Sequence, residues 1–331
     1  MKSVLFYDNT KQNSRDIRRM LAVASCDCLI PSTPEEFVKE LREGKYDLLI
    51  YALEYHDIVR QEMAGKTIKT PVILLTNSKF EELSPLLPEI PATNIIAKNS
   101  DGTLKLRDIV STVRKILHGE DIFGVKHYLS FGTQSEVFHI RDSAERGEYI
   151  EAIVEFCRRF HLRNTVVQAV ELFCEELLMN AIYDAPRDAD GQSLYNHLSR
   201  KNRVILKPKQ AARMEFACDG EKLAVSISDP FGAITWDTLQ KFLVHCFGAD
   251  REKVQNLTND NGGAGLGLYF CFASVNAFIV NVDPEKRSEF IGIFDVSASP
   301  KDRHTRYSSL HFFSTEKKAM IGLRDVQKRI A

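Results

Sequence analysis

Charge of one sign is what this sequence lacks. Against 45 aspartates and glutamates stand 44 lysines and arginines, a net charge of −1 over 331 residues. The balance holds on both sides of residue 122, with 17 basic and 18 acidic residues up to there and 27 of each after. A globally basic nucleic-acid-binding surface is thereby excluded. Paired cysteines are missing too. The seven at 26, 28, 157, 174, 218, 246 and 271 form no C-x-x-C, and an odd number in a chain of this length argues against a disulfide framework. Cys26 and Cys28 have no second ligand pair at zinc-site spacing, so reduced thiols are expected. The opening MKSVLFYDNT lacks an apolar signal core with a small-residue cleavage site, which gives a cytoplasmic expectation. With 17 Gly and 11 Pro the composition is neither collagen-like nor disordered. Ala264 to Val282 is uncharged and long enough to invite a membrane reading. Gly265, Gly267, Ser274, Asn276 and Asn281 interrupt it. A buried helix followed by a buried strand is the better expectation, with no membrane.

What is present divides in two, as the length suggests at about 150 residues per domain. Residues 1–122 alternate short apolar runs (Val4 to Tyr7, Leu48 to Tyr51, Val72 to Leu75, Ile95 to Ala97) with amphipathic patterns (Ile17 to Ala24, Phe37 to Leu41, Leu106 to Leu117). Such alternation predicts an α/β fold with a parallel sheet. Thr33-Pro34-Glu35-Glu36 supplies a cap, a first-turn proline and acidic residues at a helix start, and Gly44 follows its end. His118-Gly119-Glu120-Asp121 marks the boundary, leaving 123–331 as the second domain.

In the second domain Asn164 to Tyr183 reads as a helix, its apolar stripe formed by Val166, Val170, Phe173, Leu177 and Ala181. Glu171 and Glu175 fall on the solvated face. Glu176 and Asn180 fall on the side that should be buried and need partners: a structural network, or a general base beside a magnesium ligand. Met214 to Cys218 and Leu223 to Ser228 form a hairpin around Asp219-Gly220, and the second strand runs into Asp229-Pro230-Phe231-Gly232. Further on, Asn261-Gly262-Gly263-Ala264-Gly265-Leu266-Gly267-Leu268 opens a helix, where glycines let backbone amides approach phosphate oxygens. His139 and His161 read as structural. Arg200, Lys201, Arg203, Lys207, Lys209 and Arg213 lie together without an intervening acid, a solvated loop or a docking surface. Phe278 to Val282, Phe290 to Val296 and Ser309 to Phe313 read as strands, and Glu316 to Ala331 as a final helix.

Two resemblances follow from these residues. The first third resembles the doubly wound, flavodoxin-like receiver domains of two-component signalling. The resemblance puts Ala52 where the phosphate-accepting aspartate should end the third strand, pairs Asp8 only with Asn9 at the magnesium position, and aligns Thr76 and Lys98 with the switch positions; Glu54 lies two residues from Ala52. It implies a receiver without its acceptor.

The order of E-x-x-x-N helix, strand ending in D-x-x-G, and G-x-G-L-G-L before a helix resembles the Bergerat-type (GHKL) ATPases, an α/β-sandwich ATP-binding fold. Within them the anti-sigma-factor serine kinases look most similar, since no long helical pair carrying a phosphorylated histidine precedes the motifs. The resemblance implies ATP and Mg2+ as cofactors and Glu176 as base. Asn180 would ligate magnesium with Asp184 assisting through water, and Asp229, with Phe231 and Gly232, would read adenine. Gly263, Gly265, Leu266 and Gly267 would line the phosphates, and Thr235 to Asn261 would hold a lid. Relatives usually have D-x-G-x-G; here Phe231 replaces the first glycine of that pair. The implied partner is a signalling protein, such as a sigma factor or its antagonist, with self-association left open; the competing expectation is a non-catalytic scaffold.

Overall fold

The computed structural model describes residues 1–64, 70–248, 266–297 and 307–316. It is a mixed α/β protein whose contacts divide it into two compact units, Met1–Ile122 with Thr305–His311, and Phe123–His304 with Phe312–Glu316.

In the first unit five parallel strands, β1 (Lys2–Tyr7), β2 (Cys26–Leu29), β3 (Leu48–Ala52), β4 (Val72–Thr76) and β5 (Asn94–Ala97), lie in the order β2-β1-β3-β4-β5. The strand order reverses beside β1, and in such sheets the chemistry gathers beyond the carboxyl ends of the strands there. Strands β3, β4 and β5 are buried at every position, as a sheet covered on both faces requires. Helices α1 (Lys11–Val23), α2 (Pro34–Glu43), α3 (His56–Met63), α4 (Phe80–Leu83) and α5 (Leu106–His118) connect them. The start of α2 is capped as its sequence dictates: Glu36 N donates to Thr33 Oγ1 at 3.2 Å, and the Glu36 carboxylate returns to Ser32 N at 2.7 Å. Such a box satisfies two orphan donors, at about 1 kcal/mol for the cap alone. Gly119 ends α5 with φ +65°, the left-handed conformation for which glycine is suited. Leu310 and His311 run antiparallel to Ile95 and Asn94.

The second unit is built on an antiparallel sheet, β9-β10-β8-β7-β6, of β6 (Glu136–Ile140), β7 (Ala212–Cys218), β8 (Lys222–Asp229), β9 (Ala277–Asp283) and β10 (Arg287–Asp295). One face carries α6 (Arg146–Arg159), α7 (Asn164–Met179) and α9 (Leu266–Ser274), while α8 (Trp236–Gly248) packs against α9. Aromatic pairs lock the layers: Phe156 on Phe216, Phe173 on Phe294, Phe272 on Phe278. Each fully buried ring is worth about 2 to 3 kcal/mol. Gly292 is obligatory here, since a Cβ would lie 2.7 Å from the Phe173 ring.

The uncharged run from Ala264 resolves into α9 followed by β9, and no helix among the described residues is long and apolar enough to cross a membrane. The expected final helix lies outside the described residues beyond Glu316, as does the expected lid from residue 249 onward.

Candidate functional site

In the first unit, Asp8 follows β1 and its carboxylate is sealed. Lys98 Nζ lies 2.8 Å from Oδ2, while Thr10 N (2.8 Å) and the Asn13 amide (3.2 Å) donate to Oδ1. Glu54, half exposed, stands 3.9 Å from the same ammonium. Thr76 Oγ1 accepts from Ser78 N, and Ala52 is wholly buried. Oδ1 thus has its hydrogen bonds, while the buried Oδ2 faces the Lys98 ammonium as an ion pair without a hydrogen bond of its own.

In the second unit α7 does not end at Met179 but opens into a π-turn, Asn180–Asp184. Such turns widen the helix at functional sites more often than elsewhere. The turn carries two of the residues singled out in the sequence, Asn180 and Asp184, and Glu176 lies one turn before it. Glu176 is half buried; burial first, then the neighbouring Glu175, pushes its carboxyl pKa up, with Arg200 pulling it back down. Among the described residues neither Glu176 nor the Asn180 amide has a side-chain hydrogen-bond partner. Glu175 is held by Arg146 at 2.9 Å, and Glu171 is exposed, as expected.

Gly267, in the first turn of α9, lies against the Glu176 carboxylate; a Cβ there would come within 2.8 Å of Glu176 Cδ. This glycine allows α9 to approach α7. Gly263 and Gly265 lie outside the described residues, and Leu266 begins α9.

Asp229 ends β8 on the helix-bearing side, opposite Ser288. It is nearly fully buried, and that burial raises its pKa to about 6 against the opposing pull of the Phe231 and Gly232 amides, the Ser288 hydroxyl and Arg187. Phe231 N donates to Oδ1 at 2.9 Å, and the Phe231 side chain is partly exposed. Gly232 has φ +62°, and a Cβ there would collide with the backbone of Asp283, Glu285 and Lys286. Its job is close packing on the turn after β9.

The connection from α7 to β7 contributes residues the sequence reading did not assign to the site. Arg200 grips Asp184 through Nη2 at 2.8 and 2.7 Å and lies over the Tyr183 ring. Arg187 donates to the Asp184 carbonyl at 2.7 Å, and its charge reaches Asp229. Arg203 pairs with Asp142, and Arg213 with Glu215 at 2.6 Å. Half of the expected basic surface is thus neutralised locally, leaving Lys201, Lys207 and Lys209 exposed. An arginine following an E-x-x-x-N helix at uncertain loop spacing gives no sequence signal of where it folds back.

On the opposite face, the fully buried Glu289 accepts from the Ser226 hydroxyl, the Asn281 amide, Arg287 and Gly124 N. This network is satisfied and structural. Among the described residues no group of three or more His, Cys, Asp or Glu could hold a metal.

No protein-family model matches this chain, and no curated protein matches it. Among solved structures it was compared with aspartate semialdehyde dehydrogenase from Francisella tularensis, at 10% identity and a TM-score of 0.18 over the whole of both chains. A score that low carries no argument about fold or activity. These findings contradict the expected membership of the Bergerat-type superfamily, with its anti-sigma kinase branch and receiver-like first domain, and that assignment is withdrawn. The physical reason is legible in the glycines. Gly232 is required by close packing on backbone and Gly267 lies against the Glu176 side chain, so their spacing does not by itself indicate a phosphate.

Proposed function

We propose that the second unit binds ATP and, with Mg2+, transfers its terminal phosphoryl group to a hydroxyl of a protein partner, as part of a cytoplasmic signalling protein. The single observation that carries this reading is the half-buried Glu176 carboxylate, without a hydrogen-bond partner among the described residues, beside the π-turn that bears Asn180 and Asp184. A carboxylate raised in pKa and still open to solvent is a candidate for proton transfer.

The residues fit such a ligand. The Asn180 amide is unused, one nitrogen of Arg200 is shut from solvent without a partner, and Asp229 is an acceptor already ionised at neutral pH. Among the described residues no cluster of ligands provides for a bare cation; Mg2+ would be held by Asn180 together with phosphate oxygens, the manner in which this ion usually binds. Asp229 would accept from the adenine amino group. Glu176, its pKa raised by burial, would take the proton of the attacking hydroxyl. The first unit, a doubly wound sheet whose third strand runs into Ala52, would act as a regulatory module that accepts no phosphate there.

A second reading is a nucleotide-sensing scaffold without turnover. Phe231, beside Asp229, favours it, since a ring occupies space that a glycine would leave open. Incubation of the full chain with labelled ATP and Mg2+ separates the two. A transferase retains nucleotide binding in Glu176→Gln but loses turnover by roughly 10²- to 10⁴-fold. A scaffold turns over ATP in neither form.

A further inference from the structure

Arg200 is the group in the second unit whose chemistry is least spent. Its Nη2 holds both oxygens of Asp184, its guanidinium lies 4.9 Å above the Tyr183 ring, and the Tyr183 hydroxyl donates to the Arg200 carbonyl at 3.1 Å. The Asp184 pair and the Tyr183 ring therefore fix the direction of the guanidinium, and the Tyr183 hydroxyl anchors the main chain that carries it. Its Nη1 nevertheless has no hydrogen-bond partner and no exposure to solvent. A guanidinium offers five donors in a planar fork suited to carboxylate and phosphate, and one turned away from water without an acceptor is costly. The same cation is close enough to Glu176 to act on its charge.

We propose that Arg200 is the residue by which this site distinguishes a nucleoside triphosphate from a diphosphate, donating Nη1 to an oxygen of the terminal phosphate while Asp184 fixes the angle of the fork. The inference rests on the nucleotide reading above. Arg187, tied to the Asp184 carbonyl and acting on the charge of Asp229, serves as the control arginine.

The test is the ratio of ATP to ADP affinity, measured by equilibrium titration of the full chain with Mg2+ present, so no turnover is needed. Arg200→Gln should weaken ATP by about tenfold or more and leave ADP within about twofold, while Arg187→Gln leaves the ratio unchanged. Equal weakening of both nucleotides, or no change in either, overturns the proposal. Should Arg200→Gln fail to fold, Asp184→Asn takes its place: it releases the fork without removing it, and must shift the same ratio in the same direction. An unshifted ratio there overturns the proposal. Wild-type protein that binds neither nucleotide overturns the nucleotide reading and this inference together, whereas wild-type binding with an Arg200-independent ratio overturns this inference alone.

Discussion

Each unit places an acidic side chain at the end of a structural element, and the two are treated differently by their surroundings. Asp8 in the first unit is paired with Lys98 and receives two further hydrogen bonds. Glu176 in the second is half buried, raised in pKa and free of hydrogen-bond partners among the described residues. Equal residue chemistry is thus ion-paired in one place and unpaired in the other among the described residues. A buried charge paired with a cation helps to hold a fold together, while a half-buried carboxylate raised in pKa is a candidate for proton transfer.

The comparison breaks first at Lys98. Lys98→Met leaves Asp8 buried without its cation and should cost about 3 to 5 kcal/mol in denaturant unfolding, with Asp8→Asn in the same chain restoring most of it. A loss under about 1 kcal/mol would mean that the pair is no more than a surface contact.

The next largest effect is pH dependence in the second unit. The Asp229 carboxyl titrates at about 6 in the folded state against 3.8 ordinarily, so the folded protein holds that proton more tightly. Its contribution is fully present below pH 3.8 and is lost as pH rises towards 6, on the order of 3 kcal/mol in all. Asp229→Asn should remove that slope; parallel stability curves for the two proteins would rule it out.

The first unit should show the opposite sign. His311, buried beside Asn94 and pushed down to about 3 by desolvation with Lys115 and Lys105, stays neutral when the unfolded chain becomes protonated. Stability is then lost as pH falls below 6.5, roughly 2 kcal/mol by pH 5. His311→Gln should flatten this limb relative to wild type.

The smallest effect sharpens the site itself. Gly267→Ala drives a methyl group into Glu176, which can swing aside, at about 1 kcal/mol. Glu176→Ala should cancel that cost, giving a coupling of similar size in a double-mutant cycle. Additive losses would show that the two residues do not touch.

Much of the scaffold was legible from periodicity and punctuation. The α2 cap, the strands leading to Tyr7, Ala52, Thr76 and Ala97, and the helix from Asn164 all have short-range signals, because caps and amphipathic stripes are local. The site was only partly so. Glu176 and Asn180 stood out as polar residues on an apolar side, but the π-turn that widens the helix at Asn180 has no simple sequence pattern. Arg200 could be read only as a member of a charge run and Arg187 was not singled out, since their meaning depends on a long connection folding back onto Asp184. The glycines were legible only as points of close approach, because the thing approached, Glu176 for Gly267 and the turn at Asp283 for Gly232, lies elsewhere in the chain.

Binding of a purine nucleotide by the second unit, as proposed, is tested most directly by calorimetric titration of Mg2+ and ATP into the full chain at pH 7.5. The account predicts a saturable single-site isotherm that Asp229→Asn weakens roughly tenfold or more, the loss of a hydrogen bond to a charged acceptor. The absence of saturable heat in the wild-type protein, or an isotherm that Asp229→Asn leaves unchanged, would contradict it.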